Sequence, residues 1–537
     1  MVSRRILALA TAVLAVVQAG CFERGKRRRV VEDGGRAAAV GRDAAVGADA
    51  GWVTAEPSGA PDDAAIVRVA LEAEPASLDP FASLDAVSLR VQAAVTRGLV
   101  CVVDGEPQAC AAQAAGDASR RWRLPLRAGV RFSDGTPVTA RDALGSVRAA
   151  VGQEGHAVSP IAASLDDLRA ATIDCAPRAP CTGSALVLEW RGARPWRARA
   201  MDVALIPLVP YAQLTSPTLA TAPVGTGPYR IAAWHRGEAI ELARVAGATP
   251  RAPAAGLHLR VTTDRAEALR LVAAGELDVV YQVPIGEAIA FTAAHAGTVR
   301  FRYEQPAFLA AIYNARRPAL ASADVRRALT ALLDRDGVAA AILGGARTTT
   351  GPGTPGDPGY DEGVAPIPFS REVAAALLGT ARPSVEVLVP LGSTSAARIA
   401  DIWAADARGL ATLRVVTLPY DQVLARLAAG DFDVAITSMS GGPDVDLWSR
   451  FASDAPADQA WPGLHDAALD RLLAAHRAAQ TDDARAAAAR AIHRRLDELQ
   501  PLAFIAVDTR AGIASAKVGG LVGHRGPPPL AALWKTR

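Results

Sequence analysis

The sequence lacks a marked excess of either charge, and it has few aromatic residues. It carries 58 lysine and arginine residues against 55 aspartate and glutamate residues, a formal net charge of +3 at pH 7. Nucleic-acid-binding domains are typically strongly basic on one face, so this balance gives no support to a nucleic-acid partner. Aromatic residues make up 5% of the chain, and lysine occurs only at Lys26, Lys517 and Lys535. The use of arginine in place of lysine, with the many alanines, indicates genome composition rather than function.

The N-terminus lacks an apolar run long enough to span a bilayer. The run Ile6–Val17 falls short of the roughly 20 residues that a transmembrane helix needs. It follows a short basic start and precedes small residues and Cys21. This order is typical of a secretory signal peptide, with a buried N-terminal helix as the alternative.

Sequence motifs of common enzyme classes are also missing. The chain contains no G-x-S-x-G, no H-E-x-x-H and no P-loop. The stretch Gly225-Thr226-Gly227 is followed by the alternating, strand-like "YRIAAW", and Arg230 stands where a dinucleotide-binding loop has its third glycine. A phosphate site needs a helix N-terminus after the glycines, so these glycines are interpreted as a turn or a close backbone approach. The eight histidines form no ligand-like cluster in the sequence, and no metal or other cofactor is expected.

Four cysteines remain after Cys21. Export permits disulfides, and each of two short loops has a cysteine at both ends. The local pairs Cys101–Cys110 and Cys175–Cys181 suit the intervening turn residues best among the three possible connectivities. A zinc site is the competing interpretation, but the spacings lack the paired C-x₂-C form.

Two segments share a strand–helix–strand pattern. Residues 257–281 and 412–437 each contain a strand, a helix closed by glycine, and an apolar strand. Both are predicted βαβ units, which require a parallel sheet covered by helices, so the fold class is α/β. A chain of 537 residues is too long for one ordinary domain, and two or three lobes are expected.

Smaller elements are also predicted. An Asp134-Gly135 turn is followed by Thr139, which caps a helix, and a long helix is expected at Asp482–Leu499 before a buried strand at 502–507.

Several blocks resemble, in order, the peptide/nickel-type extracytoplasmic solute-binding proteins (family 5) of ABC transporters, which include the oligopeptide- and dipeptide-binding proteins. The resemblance spans roughly residues 66–515, and as an ordered set it is specific although each block alone is weak. The blocks are "EPASLDPFAS" (74–83), "LRAGVRFSDGTPVTARDALGSV" (126–147), "VGTGPYRIAAWHRGEAIEL" (224–242), "AAGELDVV" (273–280) and "YNARRPALASADVRRALTALLDRDGVAAAILGG" (313–345).

The resemblance implies a two-lobed, type II periplasmic-binding-protein-like fold with a ligand cleft between the lobes. The predicted division is a signal peptide (1–21), a flexible tether (22–64), lobe I with an inserted subdomain (65–260 plus 481–537) and lobe II (261–480). "QAGC" resembles a bacterial lipobox, with Gln18 in place of the usual leucine, so Cys21 is the expected lipid attachment site. The alternative is a free cysteine after plain cleavage.

The ligand-binding residues are expected in the loop after the strand "DFDVAIT". Gly441-Gly442-Pro443-Asp444 resembles a family motif whose aspartate pairs with the α-amino group of the ligand, a charge-assisted bond; ordinary turn chemistry is the alternative. Asp446 is the rival acid and Trp448 a candidate apolar wall. Ser440 and Met439, which stands where relatives often have tryptophan, complete the predicted site.

The resemblance implies a non-enzymatic receptor that delivers a solute to an ABC permease in the inner membrane. The expected ligand is a small peptide or another polar or cationic solute. The expected state is a monomer in the periplasm, anchored to the membrane by lipid, with the basic patch Lys26-Arg27-Arg28-Arg29 either contacting anionic lipid or simply solvated. An exported hydrolase and a sensor or scaffold without transport, both on a similar fold, are the alternatives.

Overall fold

A ten-stranded mixed β-sheet forms the frame of the molecule. The computed structural model describes residues 51–82, 85–103, 106–112, 120–157, 159–165, 167–174, 185–192, 196–440, 447–456, 458–524 and 526–537.

Within these residues the strands are β1 (Ile66–Leu71), β2 (Val100–Val103), β3 (Glu106–Ala109), β4 (Arg121–Pro125), β5 (Leu168–Asp174), β6 (Ala185–Trp190), β7 (Tyr229–His235), β8 (Ala239–Arg244), β9 (Gly256–Val261), β10 (Val279–Val283), β11 (Thr298–Tyr313), β12 (Ser384–Pro390), β13 (Thr412–Leu418), β14 (Val434–Ser440), β15 (Leu502–Ser515), β16 (Val518–Gly519) and β17 (Trp534–Lys535).

The helices described are α1 (Ala86–Val95), α2 (Ala140–Ala150), α3 (Trp196–Ala204), α4 (Arg265–Ala273), α5 (Ile285–Ala294), α6 (Ala323–Ala331), α7 (Arg335–Ala341), α8 (Arg371–Leu378), α9 (Thr394–Asp406), α10 (Tyr420–Ala429), α11 (Trp448–Phe451), α12 (Ala467–Ala478) and α13 (Asp482–Leu499). None of these helices is both long and apolar enough to cross a membrane.

Both predicted βαβ units are confirmed. β9 and β10, joined by α4, lie on either side of β1 and parallel to it, while β13 and β14, joined by α10, flank β12 in the same way. Glycine follows each helix with positive φ, +71° at Gly275 and +67° at Gly430, a conformation that glycine adopts without steric cost. The two strands of each unit therefore lie on either side of a third strand, β1 or β12, which the local sequence pattern does not identify.

Two long strands join these parallel units into one sheet. The strand order is β13-β12-β14-β11-β15-β10-β1-β9-β8-β7, with β11 and β15 antiparallel in the middle. β14 pairs with residues 307–313 of β11, whereas β10 pairs with residues 511–514 of β15. The β11–β15 register shifts between Glu304 and Phe308, which divides the sheet into a first half and a second half.

Separate apolar cores pack on the two halves. Val69, Leu257 and Val279 lie in a core of the first half, and Val387 and Val434 lie in a core of the second half. A third core belongs to a subdomain inserted in the first half, around the small sheet β4-β6-β5 and α2. The two halves with their separate cores form the two-lobed fold that the resemblance implies.

The inserted subdomain shows how local sequence signals determine its turns and caps. At the predicted Asp134-Gly135 turn, the Gly135 N–H donates to the Phe132 carbonyl at 2.9 Å, with φ +89° at Gly135. Thr139 and Asp142 form a reciprocal capping box at the start of α2, an arrangement that satisfies two otherwise unpaired helical N–H groups. Both predictions are confirmed.

Two segments at the boundaries of the predicted lobes pair or pack with the other half of the sheet. The sequence analysis begins lobe II at residue 261, but β10 pairs with β1, so the segment through residue 283 belongs to the first half. It also assigns the helix Asp482–Leu499 to lobe I, whereas Ile492 and Leu496 of this helix pack in a core of the second half. Sequence order alone does not reveal which half of the sheet a returning segment packs on.

Residues 51–64, the described end of the predicted tether, contact the first half. Trp52 is buried, the Val53 N–H donates to the Arg300 carbonyl at 2.9 Å, and Glu56 accepts from the Gly520 N–H at 2.7 Å. The signal segment and Cys21 lie outside the described residues.

The structure contains the Cys101–Cys110 disulfide that the sequence predicts, with the two Cα atoms 5.6 Å apart. It joins β2 to the residue after β3, the two strands of an antiparallel hairpin. Cys175 and Cys181 lie outside the described residues, so their pairing stays a prediction.

The Gly225-Thr226-Gly227 stretch packs against the end of α1. A Cβ atom on Gly225 would lie 2.3 Å from the Val95 carbonyl oxygen, and one on Gly227 would lie 2.5 Å from the Ala94 carbonyl oxygen. β7 begins two residues later, at Tyr229. The glycines therefore permit a close backbone approach, as one of the two structural interpretations predicts.

Candidate ligand cleft

A cavity of about 210 Å³ lies where the two halves of the sheet meet. Both halves and the strand β15 contribute to its wall. The described lining residues are Gln282, Val283, Pro284, Ile285, Leu309, Ile342, Leu343, Gly392, Ser393, Thr394, Ser395, Ala396, Ser438, Val507, Asp508, Thr509, Arg510 and Ala511.

The sheet topology explains this position. Gln282–Ile285 stand at the carboxyl end of β10, Gly392–Ala396 follow β12, and Ser438 lies near the carboxyl end of β14. Open parallel sheets bind ligands beyond the carboxyl ends of their strands, where loops from neighbouring strands converge. The cavity therefore occupies the position that the predicted βαβ units imply.

Two helices begin at the cavity wall. α5 starts after Pro284 and α9 after Ser393, and neither N-cap side chain bonds to the first turn. The first N–H groups of a helix lack partners within the helix and carry partial positive charge. This part of the wall thus presents backbone hydrogen-bond donors beside the hydroxyl groups of Ser393, Thr394 and Ser395.

An ion pair supplies the charged groups among the described lining residues. Arg510 Nε lies 2.8 Å from Asp508 Oδ1, and Nη2 donates to Oδ2 at 2.9 Å. The Asp508 side chain is 7% exposed and that of Arg510 is 32% exposed. Burial lowers the pKa of Arg510, but the adjacent Asp508 carboxylate more than offsets this, and the net pKa is raised. Both side chains lie on β15, two residues apart, and so on one face of the strand.

Gln282 has an unusual backbone conformation at the cavity wall. Its φ is +57°, at a point where the β10–β15 register shifts between Val280 and Val283. A non-glycine residue in this left-handed region costs on the order of 1 kcal/mol or more, and such strain clusters at ligand sites. The bulge turns the chain from β10 towards α5, which brings Pro284 and Ile285 to the cavity.

The residues predicted to bind ligand occupy different places. Ser438, directly before the predicted Met439, lines the cavity, while Met439 is 3% exposed and packs in a core with Phe308. Ser440 is half-buried and pairs with Ala307 at the end of β14. Neither Met439 nor Ser440 belongs to the described lining.

Trp448 packs against the same core of the second half, with the Arg477 guanidinium 5.2 Å from the centroid of its indole ring. Asp444 and Asp446 lie outside the described residues, and their roles stay predictions.

The sequence analysis missed the contribution of β15 and of the loop after β12. Asp508, Thr509 and Arg510 appear in the sequence as polar residues after an apolar run, a pattern that equally suits a solvated strand end. One signal was available for the other segment. "PLGSTSAAR" (390–398) follows a strand-like run, and its glycine and hydroxyl residues mark a strand-to-helix loop.

A sheet in two halves, joined by two long strands and enclosing a cavity at the joint, defines a two-lobed solute-binding protein of the periplasmic type. The model of the family "Bacterial extracellular solute-binding proteins, family 5 Middle" matches residues 107–458, well over half of the chain. The chain therefore belongs to family 5 of the bacterial extracellular solute-binding proteins, the binding components of ABC importers.

Individual proteins are similar to this chain over most of its length. Protein XP55 of Streptomyces lividans is 28% identical over 410 residues, which cover 71% of this chain and 72% of that protein. The ABC transporter substrate-binding protein CtaP of Listeria monocytogenes superimposes with a TM-score of 0.78 at 18% identity, over 89% of this chain and 100% of CtaP. The oligopeptide-binding protein AppA of Bacillus subtilis, solved with a nonapeptide, gives a TM-score of 0.67 at 15% identity, over 89% and 100% of the two chains.

Proposed function

We propose that this protein captures a peptide-like solute in the cleft between its lobes and delivers it to an ABC permease without chemically changing it. One observation carries the proposal. The cavity at the joint of the β11 and β15 strands takes its wall from both halves of the sheet, so a ligand there contacts both lobes and favours their closure.

The chemistry of the lining supports a polar ligand with small apolar parts. The hydroxyl-bearing residues Ser393, Thr394, Ser438 and Thr509 line the same cavity as aliphatic residues such as Leu309. Ligand sites typically combine apolar walls with a few placed polar groups that fix orientation. A short peptide, with its polar backbone and terminal charges, fits this combination.

Asp444 is the proposed partner of the ligand ammonium group. Its loop directly follows β14, which brings Ser438 to the cavity wall. Replacing a buried, paired carboxylate by the neutral isostere leaves the ammonium unpaired and costs roughly 2–5 kcal/mol in affinity. Asp444→Asn and Asp446→Asn are matched variants. If only Asp444→Asn loses affinity for the ligand, the assignment to Asp444 is supported. If only Asp446→Asn loses affinity, the ammonium partner is Asp446. If both variants keep full affinity, the assignment is contradicted.

We propose that closure bends the two long strands where their register shifts, between Glu304 and Phe308. The strand pairing supports a first lobe of residues 51–304 with 509–537 and a second lobe of residues 308–507. Closure removes water from the cavity, which strengthens the charge interactions of the ligand relative to an open cleft.

Export and anchoring complete the proposal. The N-terminal segment is proposed to be a lipoprotein signal peptide, so that Cys21 carries the lipid and the protein faces the periplasm as a membrane-anchored monomer. Residues 22–50, the part of the predicted tether before Gly51, would then connect the lipid anchor to the first lobe.

The test is a binding selection followed by a turnover assay. The protein is incubated with random tetrapeptides of neutral side chains, and bound peptides are released and identified by mass spectrometry. The proposal predicts enrichment of intact peptides and no cleavage during prolonged incubation. Absence of any retained peptide contradicts a peptide-like ligand, and cleavage of the peptides supports the exported hydrolase instead.

A further inference from the structure

Asp508 occupies one edge of the Arg510 guanidinium. The two residues pair through Nε and Nη2, with Nε 2.8 Å from Oδ1 and Nη2 2.9 Å from Oδ2. An arginine side chain carries five N–H donors in a planar fork, and this side-on pairing uses two of them. The end edge, formed by Nη1 and the second N–H of Nη2, is the other edge that suits a carboxylate.

The end edge has no protein partner within the described part of the chain. No described residue accepts a hydrogen bond from Nη1 of Arg510, although the residue lines the cavity and its side chain is 32% exposed. Asp508, at 7% exposed, is held on the same strand face. The buried carboxylate thus fixes a guanidinium whose remaining donors are available at the cavity.

We propose that the end edge of Arg510 binds a carboxylate of the ligand, and that Asp508 is the positioning residue that holds the guanidinium for it. This inference rests on the proposed peptide-binding function and names the group that binds at β15. Arginine is suited to the role because its planar guanidinium can donate to two carboxylates, one on each of two edges, whereas a lysine ammonium has no such geometry.

Arg510 lies close to the joint between the two lobes. Its β15 segment faces the part of β11 where the register shifts between Glu304 and Phe308. A carboxylate bound there lies at the joint of the two lobes, within the cavity that Ser438 and Ser393 of the second half also line. A ligand whose carboxylate binds Arg510 can therefore contact both lobes at once and hold them together.

The carboxylate has two possible sources in a peptide, and three tetrapeptide libraries separate them. The first has neutral side chains and a free carboxyl terminus, the second has the same side chains and a C-terminal amide, and the third is amidated and contains one glutamate. Competition among them on the unmodified protein gives the acid-to-amide affinity ratio without depending on how any variant folds.

The variants are Arg510→Gln, Arg510→Lys and Asp508→Asn. Arg270→Gln is the matched control, because Arg270 makes the same side-on pair with Glu267 on the exposed surface of α4. We expect Arg510→Gln to lose about 30-fold or more in affinity for the preferred acid library. Arg510→Lys keeps part of this affinity, Asp508→Asn lowers the acid-to-amide ratio, and Arg270→Gln matches the unmodified protein.

The outcomes separate this inference from the proposed function. Preferred binding of the first library identifies the C-terminal carboxylate as the group bound by Arg510, and preferred binding of the third library identifies an acidic side chain. Either preference supports the inference if Arg510→Gln abolishes it. Equal binding of acid and amide libraries, or an unchanged preference in Arg510→Gln, overturns the inference while peptide binding stands. Binding of none of the libraries overturns the peptide function and the inference with it.

Discussion

The substitution Gly227→Ala tests how closely β7 and its preceding turn pack on α1. The new Cβ atom would lie 2.5 Å from the Ala94 carbonyl oxygen and from the Val95 carbonyl group, all of them backbone atoms. The Gly227 N–H also donates to the Val95 carbonyl at 2.8 Å. Because backbone atoms at the end of a packed helix cannot swing aside as a flexible side chain does, the turn must move away.

The expected cost combines two contributions. Overpacking of this kind costs typically 1–3 kcal/mol, and weakening one hydrogen bond adds about 1 kcal/mol. Gly227→Ala should therefore lower the free energy of unfolding by about 2–4 kcal/mol, measured by urea denaturation with tryptophan fluorescence and circular dichroism.

Gly286→Ala is the control for this substitution. Gly286 lies in α5, and a Cβ atom there would have no neighbour within 4 Å. Alanine in a helix is more stable than glycine by roughly 0.5–1 kcal/mol, so this variant should be as stable as the unmodified protein or slightly more stable. A Gly227→Ala protein with the stability of Gly286→Ala would refute the close-approach explanation.

Three further predictions concern other parts of the chain. Burial lowers the pKa of His493 from its usual 6.5, so the unfolded chain binds more protons than the folded one below that pH. The free energy of unfolding should thus fall as the pH drops through about 6.5, and His493→Gln should show a shallower fall between pH 7.5 and 5.5; an unchanged slope would contradict this. Replacing Cys101 and Cys110 by serine opens the disulfide loop and should cost about 2–3 kcal/mol in denaturation experiments, whereas equal stability with and without reductant would count against a structural role. Cys21→Ser should move the protein from the membrane fraction to the soluble fraction, and unchanged fractionation would rule out lipid anchoring at this residue.

Local sequence patterns predicted the elements of the fold better than their pairing. The strand–helix–strand periodicity located both βαβ units. The capping residue Thr139 placed α2, and the acidic first turn and the following Pro501 placed α13. β15 extends to Ser515, well beyond the predicted 502–507. Its second half, "DTRAGIAS", shows no strand-like alternation, and it is held in the sheet by pairing with β10 and β11. Long-range pairing decides such a strand, and no local pattern records it.

The candidate site shows the same limit. The rule that ligands bind at the carboxyl ends of parallel strands points to the end of β14, where Ser438 lines the cavity. The rule does not show that Met439 packs in a core while Ser438 lines the cavity. Alternation along a strand places neighbouring residues on opposite faces, but it does not tell which face is buried. Asp508 and Arg510 were missed because only the crossing of β15 between the lobes brings them to the cleft.

Small-angle X-ray scattering shows whether the two lobes close around a bound peptide. The radius of gyration is measured for the protein alone and with a saturating concentration of a tetrapeptide that it selects. We expect a smaller radius of gyration in the complex, because closure brings the two halves of the sheet together where β11 and β15 change register. An identical radius of gyration at demonstrated saturation would contradict it.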